Sequence, residues 1–321
     1  MGKSPEEGLF MLTLLLVYFD WYAMSVKYVW VDGKFVNFAN AKASVLSHSL
    51  QYGSGIFEGI RAYKAKNGVA IFRLDDHVKR FFNSAKIYSM PLGLEHKELK
   101  EAIISTVAKN KHEECYIRPF AYYSSTNIGV SSPANVSVII ATVEMPSYFS
   151  KQSITCAVSS WRRINSNVMP PEAKGSGNYL NSLIASIEAK RAGADEAIML
   201  TYDGYVAEGP GENVFLVENN KLVTPGKSAD ILLGITRDSV IKLAESMGIE
   251  VEERNVHREE LETCDEAFFS GTAAGIVPIT EINKQKVGSG KPGPITKAVS
   301  DKYMQAVHGE LEEFVDWLVY V

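Results

Sequence analysis

Four short stretches in the second half of this sequence carry residue types that could do chemistry together. The first is Pro170-Pro171-Glu172-Ala173-Lys174-Gly175-Ser176-Gly177-Asn178-Tyr179, a lysine in glycine-rich backbone just before a helix start. An amine shielded from water sheds its proton more readily, which suits a lysine that forms a Schiff base. The second is Gly204-Tyr205-Val206-Ala207-Glu208-Gly209-Pro210-Gly211-Glu212-Asn213, where Glu208 leaves a strand into a tight turn. Its carboxylate could pair there with a ring nitrogen. The third, Leu233-Gly234-Ile235-Thr236-Arg237-Asp238, opens a helix; Thr236 can cap it, and its free N–H groups favour an anion. The fourth, Ser270-Gly271-Thr272-Ala273-Ala274-Gly275, is a small-residue loop open to the same phosphate or carboxylate role. The first three each have an ordinary alternative: a surface lysine, a solvated turn glutamate, a helix start that binds only water.

Several glycine-rich strings, two of them inside these stretches, match other motifs only in part. Gly288-Ser289-Gly290-Lys291 is followed by Pro292 where a P-loop needs Ser or Thr. Gly175-Ser176-Gly177 and Gly209-Pro210-Gly211 lack the third glycine of a dinucleotide fingerprint, and Gly53-Ser54-Gly55 is no nucleophile elbow.

The elements that must hold these loops alternate between strands and helices. Asp32-Gly33 and Asn67-Gly68 mark two hairpins, with strands expected at 28–31, 34–36, 56–63 and 69–72. From Leu74, residues Val78, Phe81, Phe82, Ala85 and Tyr88 recur at helical spacing, and a second helix is expected near 99–107. Strands at 116–123 and 136–143 follow. Later strands are expected at 154–159, 197–201, 205–207, 214–217 and 267–269, and helices at 179–192, from Thr236 to a stop at Gly248, and at 294–308. Periodicity fails around 144–150. The chain is therefore divided into an N-terminal extension (1–23), a small N-terminal α/β domain (24–146), a linker (147–153) and a larger domain (154–321). Hairpins mixed with helices argue for α/β architecture with mixed sheets rather than a doubly wound parallel sheet.

Composition narrows the function classes. Of 321 residues, 46% are hydrophobic and 22% charged, which excludes a disordered or fibrous chain. Lys plus Arg number 33 against 38 for Asp plus Glu, so no basic footprint for nucleic acid exists. Cys115, Cys156 and Cys264 are far apart with no CxxC, and the six histidines are scattered. No metal site or disulfide framework is expected, and a reducing, cytoplasmic compartment is. The apolar run at 9–19 is too short to span a bilayer and lacks the basic flank of a signal peptide. It reads as an appended segment, with burial against a partner or a membrane surface as the alternative.

A lysine, a ring-nitrogen carboxylate, a tyrosine and two phosphate loops together specify pyridoxal 5'-phosphate. With Phe57-Glu58-Gly59-Ile60-Arg61-Ala62-Tyr63, Tyr116-Ile117-Arg118-Pro119 and Gly234-Ile235-Thr236-Arg237 in the same order, the sequence resembles the branched-chain amino acid aminotransferases. These are fold-type-IV, class IV pyridoxal-phosphate enzymes, and the likeness runs from about residue 28 to 318. The resemblance implies a two-domain α/β fold whose larger C-terminal domain is pseudobarrel-like. It implies reversible ping-pong amino transfer between L-Leu, L-Ile or L-Val and 2-oxoglutarate. Lys174 would carry the cofactor and move the proton; Glu208 would pair with the pyridine nitrogen and Tyr179 with the phenolic oxygen. Arg80, the backbone of Ile235 and Thr236, and the Thr272 hydroxyl would hold the phosphate.

For substrate, the resemblance makes Phe57 and Tyr116 pocket walls and Arg118 the group that receives glutamate's distal carboxylate. Gly271, Thr272 and Ala273 would hold the α-carboxylate. Tyr52 and Tyr148 would complete a neighbouring subunit's pocket, which implies a homodimer at least and leaves room for a hexamer. One departure stands out: bacterial relatives often carry a tryptophan near Met145-Pro146, and none is present here. The competing expectations are a D-amino acid transaminase or an aminodeoxychorismate lyase of the same fold, and a cofactor-free scaffold. Partners are expected to be small amino acids and 2-oxo acids, with no nucleic acid and no membrane.

Overall fold

A computed structural model describes residues 26–131, 135–145 and 149–321. The apolar run at 9–19 and Tyr148 lie outside the described residues. The chain builds two eight-stranded sheets with helices against them. The first contains β1 (Tyr28–Val31), β2 (Lys34–Asn37), β3 (Gly55–Phe57), β4 (Ile60–Ala65), β5 (Gly68–Phe72), β6 (Cys115–Tyr123) and β7 (Val136–Val143). The second contains β8 (Ile154–Arg162), β9 (Glu196–Leu200), β10 (Asn213–Glu218), β11 (Lys221–Pro225), β12 (Val251–Arg254), β13 (Glu266–Gly271), β14 (Gly275–Ile282) and β15 (Gln285–Lys286). The last strand, β16 (Leu318–Tyr320), leaves the second half and pairs antiparallel with β5, so the first sheet runs β16-β5-β4-β6-β7-β1-β2. The expected block 154–321 is thus not confined to one sheet.

The first sheet is antiparallel throughout, as its short hairpins require. Asp32 and Gly33 turn between β1 and β2 with φ of 46° and 89°, the primed geometry that suits strand twist. The second sheet is mixed: β11–β12, β14–β8 and β8–β9 are parallel pairs. Helices Leu74–Ile87 and His96–Asn110 cover the first sheet, and Val78, Phe81, Leu99 and Ile103 join Ile60, Ile117 and Ile140 in its core. On the second sheet, Val240, Ala244 and Val299 from helices Ile235–Ser246 and Pro294–Val307 meet Phe215 and Phe268.

Four sequence expectations need correction. The strand expected at 56–63 breaks into β3 and β4 at Glu58-Gly59. The cause lies in the neighbouring strand, where Pro119 offers no N–H and only its carbonyl accepts from Glu58 N, at 2.9 Å. Residues 205–207 make only an isolated bridge, Leu200 to Val206. The stretch after 269 is no loose loop: Gly271 pairs with Gly275 and β14 continues to Ile282, hidden from sequence by Pro278. Thr236 does not cap its helix; Gly234 occupies the N-cap and no side chain fills the role.

Candidate active site

The Lys174 loop is clipped to the first half of the chain at several points. Lys174 N donates to Ser84 Oγ at 3.0 Å, and Phe57 N donates to Lys174 O at 3.0 Å. Tyr88 Oη donates to Asn178 Oδ1 at 3.1 Å, while Asn178 Nδ2 reaches back to Ala173 O. These contacts place the lysine between the two sheets rather than on the surface. Its Nζ donates to Tyr179 Oη at 2.8 Å and lies 5.3 Å from the centre of the Phe57 ring. Tyr179 opens helix Tyr179–Arg191 after the 3-10 turn Ser176–Asn178, and its ring leans on Phe57 with centroids 4.8 Å apart.

Glu208 forms part of the cleft wall, 5% exposed. Arg163 Nε donates to its Oε1 at 2.6 Å, Asn213 Nδ2 to its Oε2 at 2.9 Å, and Leu232 N to both oxygens. Burial pushes the Glu208 carboxyl up from its ordinary range, with Arg163 and the Leu232 N–H pulling the other way. Neighbouring Glu212 is pushed up to about 8 by burial and by the charges of Glu196 and Glu208.

The remaining wall is suited to an anion. Helix Ile235–Ser246 begins here, and Gly234, Ile235 and Thr236 line the cleft with Ser270, Gly271 and Thr272. Gly234 must lack a side chain, because a Cβ there would lie 2.1 Å from Asn213 Oδ1. Arg80 reaches the same end from helix Leu74–Ile87, its Nη1 donating to Leu233 O at 3.1 Å.

Sequence reasoning missed what holds Arg80. Glu58, fully buried at the break between β3 and β4, accepts from Arg80 Nε and Nη2 and sits 2.7 Å from His77 Nδ1. Burial alone would raise the Glu58 carboxyl, but Arg80 and His77 outweigh it and hold it far below the usual carboxylate range. Burial also depresses His77. Arg163 and Asn213 were missed as well. The broken alternation at 57–60, with a carboxylate between Phe57 and Gly59, was the available signal for Glu58.

On the first sheet, Tyr116 and Arg118 point from β6 to one side, two residues apart. Arg118 Nη2 donates to Tyr116 Oη at 2.8 Å, and the guanidinium lies 4.3 Å from the Phe57 ring centre. Tyr52 is elsewhere: it ends helix His48–Tyr52, is 41% exposed, and its Oη accepts from Gly129 N at 3.2 Å. Ala273 sits in the turn that follows Thr272, half-buried. The structure therefore gathers Lys174, Tyr179, Glu208, Arg80, Ile235, Thr236, Gly271 and Thr272 on one cleft, with Phe57, Tyr116 and Arg118 beside it. Among the described residues, no cluster of three or more His, Cys, Asp or Glu could hold a metal ion, and no helix is long and apolar enough to cross a membrane.

Two buried atoms of residues lining this cleft, Arg163 Nη1 and Ser270 Oγ, find no partner within the described chain. A lysine amine, a phenol, a buried carboxylate and an anion-binding rim match the aldehyde, phenolic oxygen, ring nitrogen and phosphate of pyridoxal phosphate. That cofactor fits.

Residues 55–282 match the amino-transferase class IV family. The branched-chain-amino-acid aminotransferase of Escherichia coli (strain K12) is 42% identical over 297 residues, covering 91% of this chain and 96% of that protein. The branched-chain aminotransferase of the thermophilic archaeon Thermoproteus uzoniensis, solved with norvaline, superposes with a TM-score of 0.88 at 43% identity, covering 92% and 99% of the two chains. The Thermobaculum terrenum branched-chain amino acid aminotransferase, solved in its PLP form, gives 0.86 at 38% identity, with 92% and 98% coverage.

Proposed function

Because the chain belongs to the class IV amino-transferase family, we propose that it transfers amino groups reversibly between L-leucine, L-isoleucine or L-valine and 2-oxoglutarate. It is a transferase, and pyridoxal 5'-phosphate is its cofactor. The observation that carries this reading is Lys174 Nζ held 2.8 Å from Tyr179 Oη in a cleft bounded by buried Glu208 and an anion-binding rim.

When bound, pyridoxal phosphate supplies an electron-withdrawing ring that stabilises negative charge at the substrate Cα. Lys174 Nζ takes the proton from that carbon and returns it, the work of a general acid–base group. Tyr179 Oη holds that amine in place through the 2.8 Å bond it accepts. Glu208, fixed by Arg163, Asn213 and Leu232, presents a carboxylate to the ring nitrogen and favours its protonated form. Arg80, the Ile235 and Thr236 N–H groups and Thr272 hold the phosphate. Phe57 and Tyr116 line the side-chain pocket, and Arg118 meets the distal carboxylate of glutamate. Gly271, Thr272 and Ala273 take the α-carboxylate.

A homodimer and a cytoplasmic location belong to the same reading. Support for the dimer comes from Tyr52, Leu46, Leu50, Ile128 and Val130, all exposed, with the Gly129–Tyr52 bond joining the 128–130 segment to helix His48–Tyr52. The partner subunit would place its own Tyr52 and Tyr148 at this cleft. The three free, buried cysteines support a reducing compartment.

The test is a visible spectrum of the purified protein, followed by single additions of amino acids. A yellow protein whose absorbance shifts with L-leucine and with L-glutamate is expected. A shift with D-amino acids alone would turn the reading to a D-amino acid transaminase, and no visible absorbance would overturn it.

A further inference from the structure

Arg73 lies off the cleft and the transfer chemistry makes no use of it, yet it is only 7% exposed. It occupies left-handed backbone, φ 53°, between β5 and helix Leu74–Ile87, which is uncommon outside glycine. Its guanidinium uses all three nitrogens. Nε donates to Asp76 Oδ2 at 2.5 Å, Nη1 to Ser239 Oγ at 3.0 Å, and Nη2 to Asp238 Oδ2 at 2.7 Å. The Trp317 ring covers it, with its centre 4.9 Å from Cζ.

Both far partners belong to the start of helix Ile235–Ser246. Ser239 Oγ donates onward to Ile235 O at 2.9 Å, and Asp238 N donates to Gly234 O at 2.9 Å. One side chain is therefore linked, through one residue each, to the two carbonyls at the helix start. In the other direction, Arg73 O accepts from His77 N at 3.2 Å, and the His77 ring meets Glu58, which fixes Arg80. The two arms of the anion-binding rim, one from each half of the chain, meet at Arg73.

We infer that Arg73 is a positioning residue for the cofactor's phosphate, setting the gap between the N–H groups of the Ile235–Ser246 helix and the Arg80 guanidinium. This rests on the reading that pyridoxal phosphate binds in the cleft. Guanidinium and helix start must converge on one small anion, so a loosened clamp weakens the grip on phosphate and leaves contacts to the ring. Lysine cannot replace arginine here, because one ammonium cannot serve three partners in a plane.

The experiment titrates the apoenzyme with pyridoxal phosphate and, separately, with pyridoxal, which has no phosphate, reading the visible absorbance of each bound form. Arg73→Lys is made on one side of the clamp and Asp238→Asn on the other, with thermal unfolding of each variant recorded. Each is expected to raise the Kd for pyridoxal phosphate about tenfold, as loss of a charged hydrogen bond does, and to move the Kd for pyridoxal less than about threefold. Equal weakening for both ligands, or none for either, would overturn the inference. If Arg73→Lys does not fold, Asp238→Asn decides it. Failure of the unaltered protein to bind pyridoxal phosphate would instead overturn the proposed function.

Discussion

Glu58 accepts from Arg80 Nε at 2.7 Å and from Nη2 at 2.8 Å, so one carboxylate fixes the plane of the guanidinium. Removing one partner of a buried ion pair typically costs on the order of 3–5 kcal/mol. Glu58→Gln is expected to lose about 3 kcal/mol of stability in urea unfolding at neutral pH. The sign with pH follows. Burial raises the carboxyl and Arg80 and His77 outweigh it, leaving the folded group below its unfolded value of 4.5. Its contribution is complete above that value and fades as pH falls through the acid range. A loss below about 1 kcal/mol would remove Glu58 from any structural role.

Lys174→Ala takes away the amine that we propose moves the proton. Turnover of L-leucine with 2-oxoglutarate is expected to fall at least about a thousandfold, within the range for removing an acid–base group. The melting temperature should stay near that of the unaltered protein, since the Lys174 loop is held by its backbone and by Asn178. Activity retained at full rate would sink the assignment.

Arg118→Met separates the two substrate classes. The KM for 2-oxoglutarate is expected to rise roughly tenfold or more, the loss of one charge-assisted bond. The half-reaction with L-leucine, which has no distal carboxylate, should change by less than about threefold. Stopped-flow absorbance on each half-reaction reads both, and equal losses would show that Arg118 does not discriminate.

Gly59→Ala tests the same pocket from behind. A methyl at Gly59 would lie 2.2 Å from Tyr116 Oη, so the tyrosine must move and give up its 2.8 Å bond from Arg118. The variant is expected to copy the Arg118→Met pattern more weakly while remaining folded by circular dichroism. Unchanged steady-state constants for 2-oxoglutarate would refute the link.

Glu212 carries a pH signature of opposite sign to Glu58. Burial and the charges of Glu196 and Glu208 put its folded value at about 8, above the ordinary 4.5. The folded state therefore holds a proton that the unfolded state has released, and stability from this group declines as pH rises from about 4.5 to about 8. Melting curves across that window should fall less steeply for Glu212→Gln than for the unaltered protein. Parallel curves would contradict it.

What the sequence disclosed and what it hid follow a physical division. Short-range signals were legible: Asp32-Gly33 marks a turn because few residue pairs accept its backbone angles, and the periodicity after Leu74 marks a helix because one face is buried. Residues in the cleft were legible through glycine-rich loops whose spacing is unusual. Glu58, Arg163 and Arg73 were not, since each is a charged residue whose meaning comes from partners 22, 45 and 165 positions away. Nothing local separates Arg163 and Arg73 from solvated charges, and Glu58 is marked only by the broken alternation at 57–60. The strand β14 was hidden for a different reason: Pro278 argues against a strand, yet it pairs opposite Phe268 of β13, and β8 joins from Ile279 onward.

The return of β16 to the first sheet has a consequence for how the protein is made. Residues 318–320 leave the ribosome long after the strand they cover, and until they arrive β5 presents an open edge. The first sheet cannot be completed early in synthesis, although seven of its strands precede residue 144. Loss of these few residues would leave the nascent chain with a sticky border, so stop codons just upstream of Leu318 should give aggregated product rather than a trimmed enzyme.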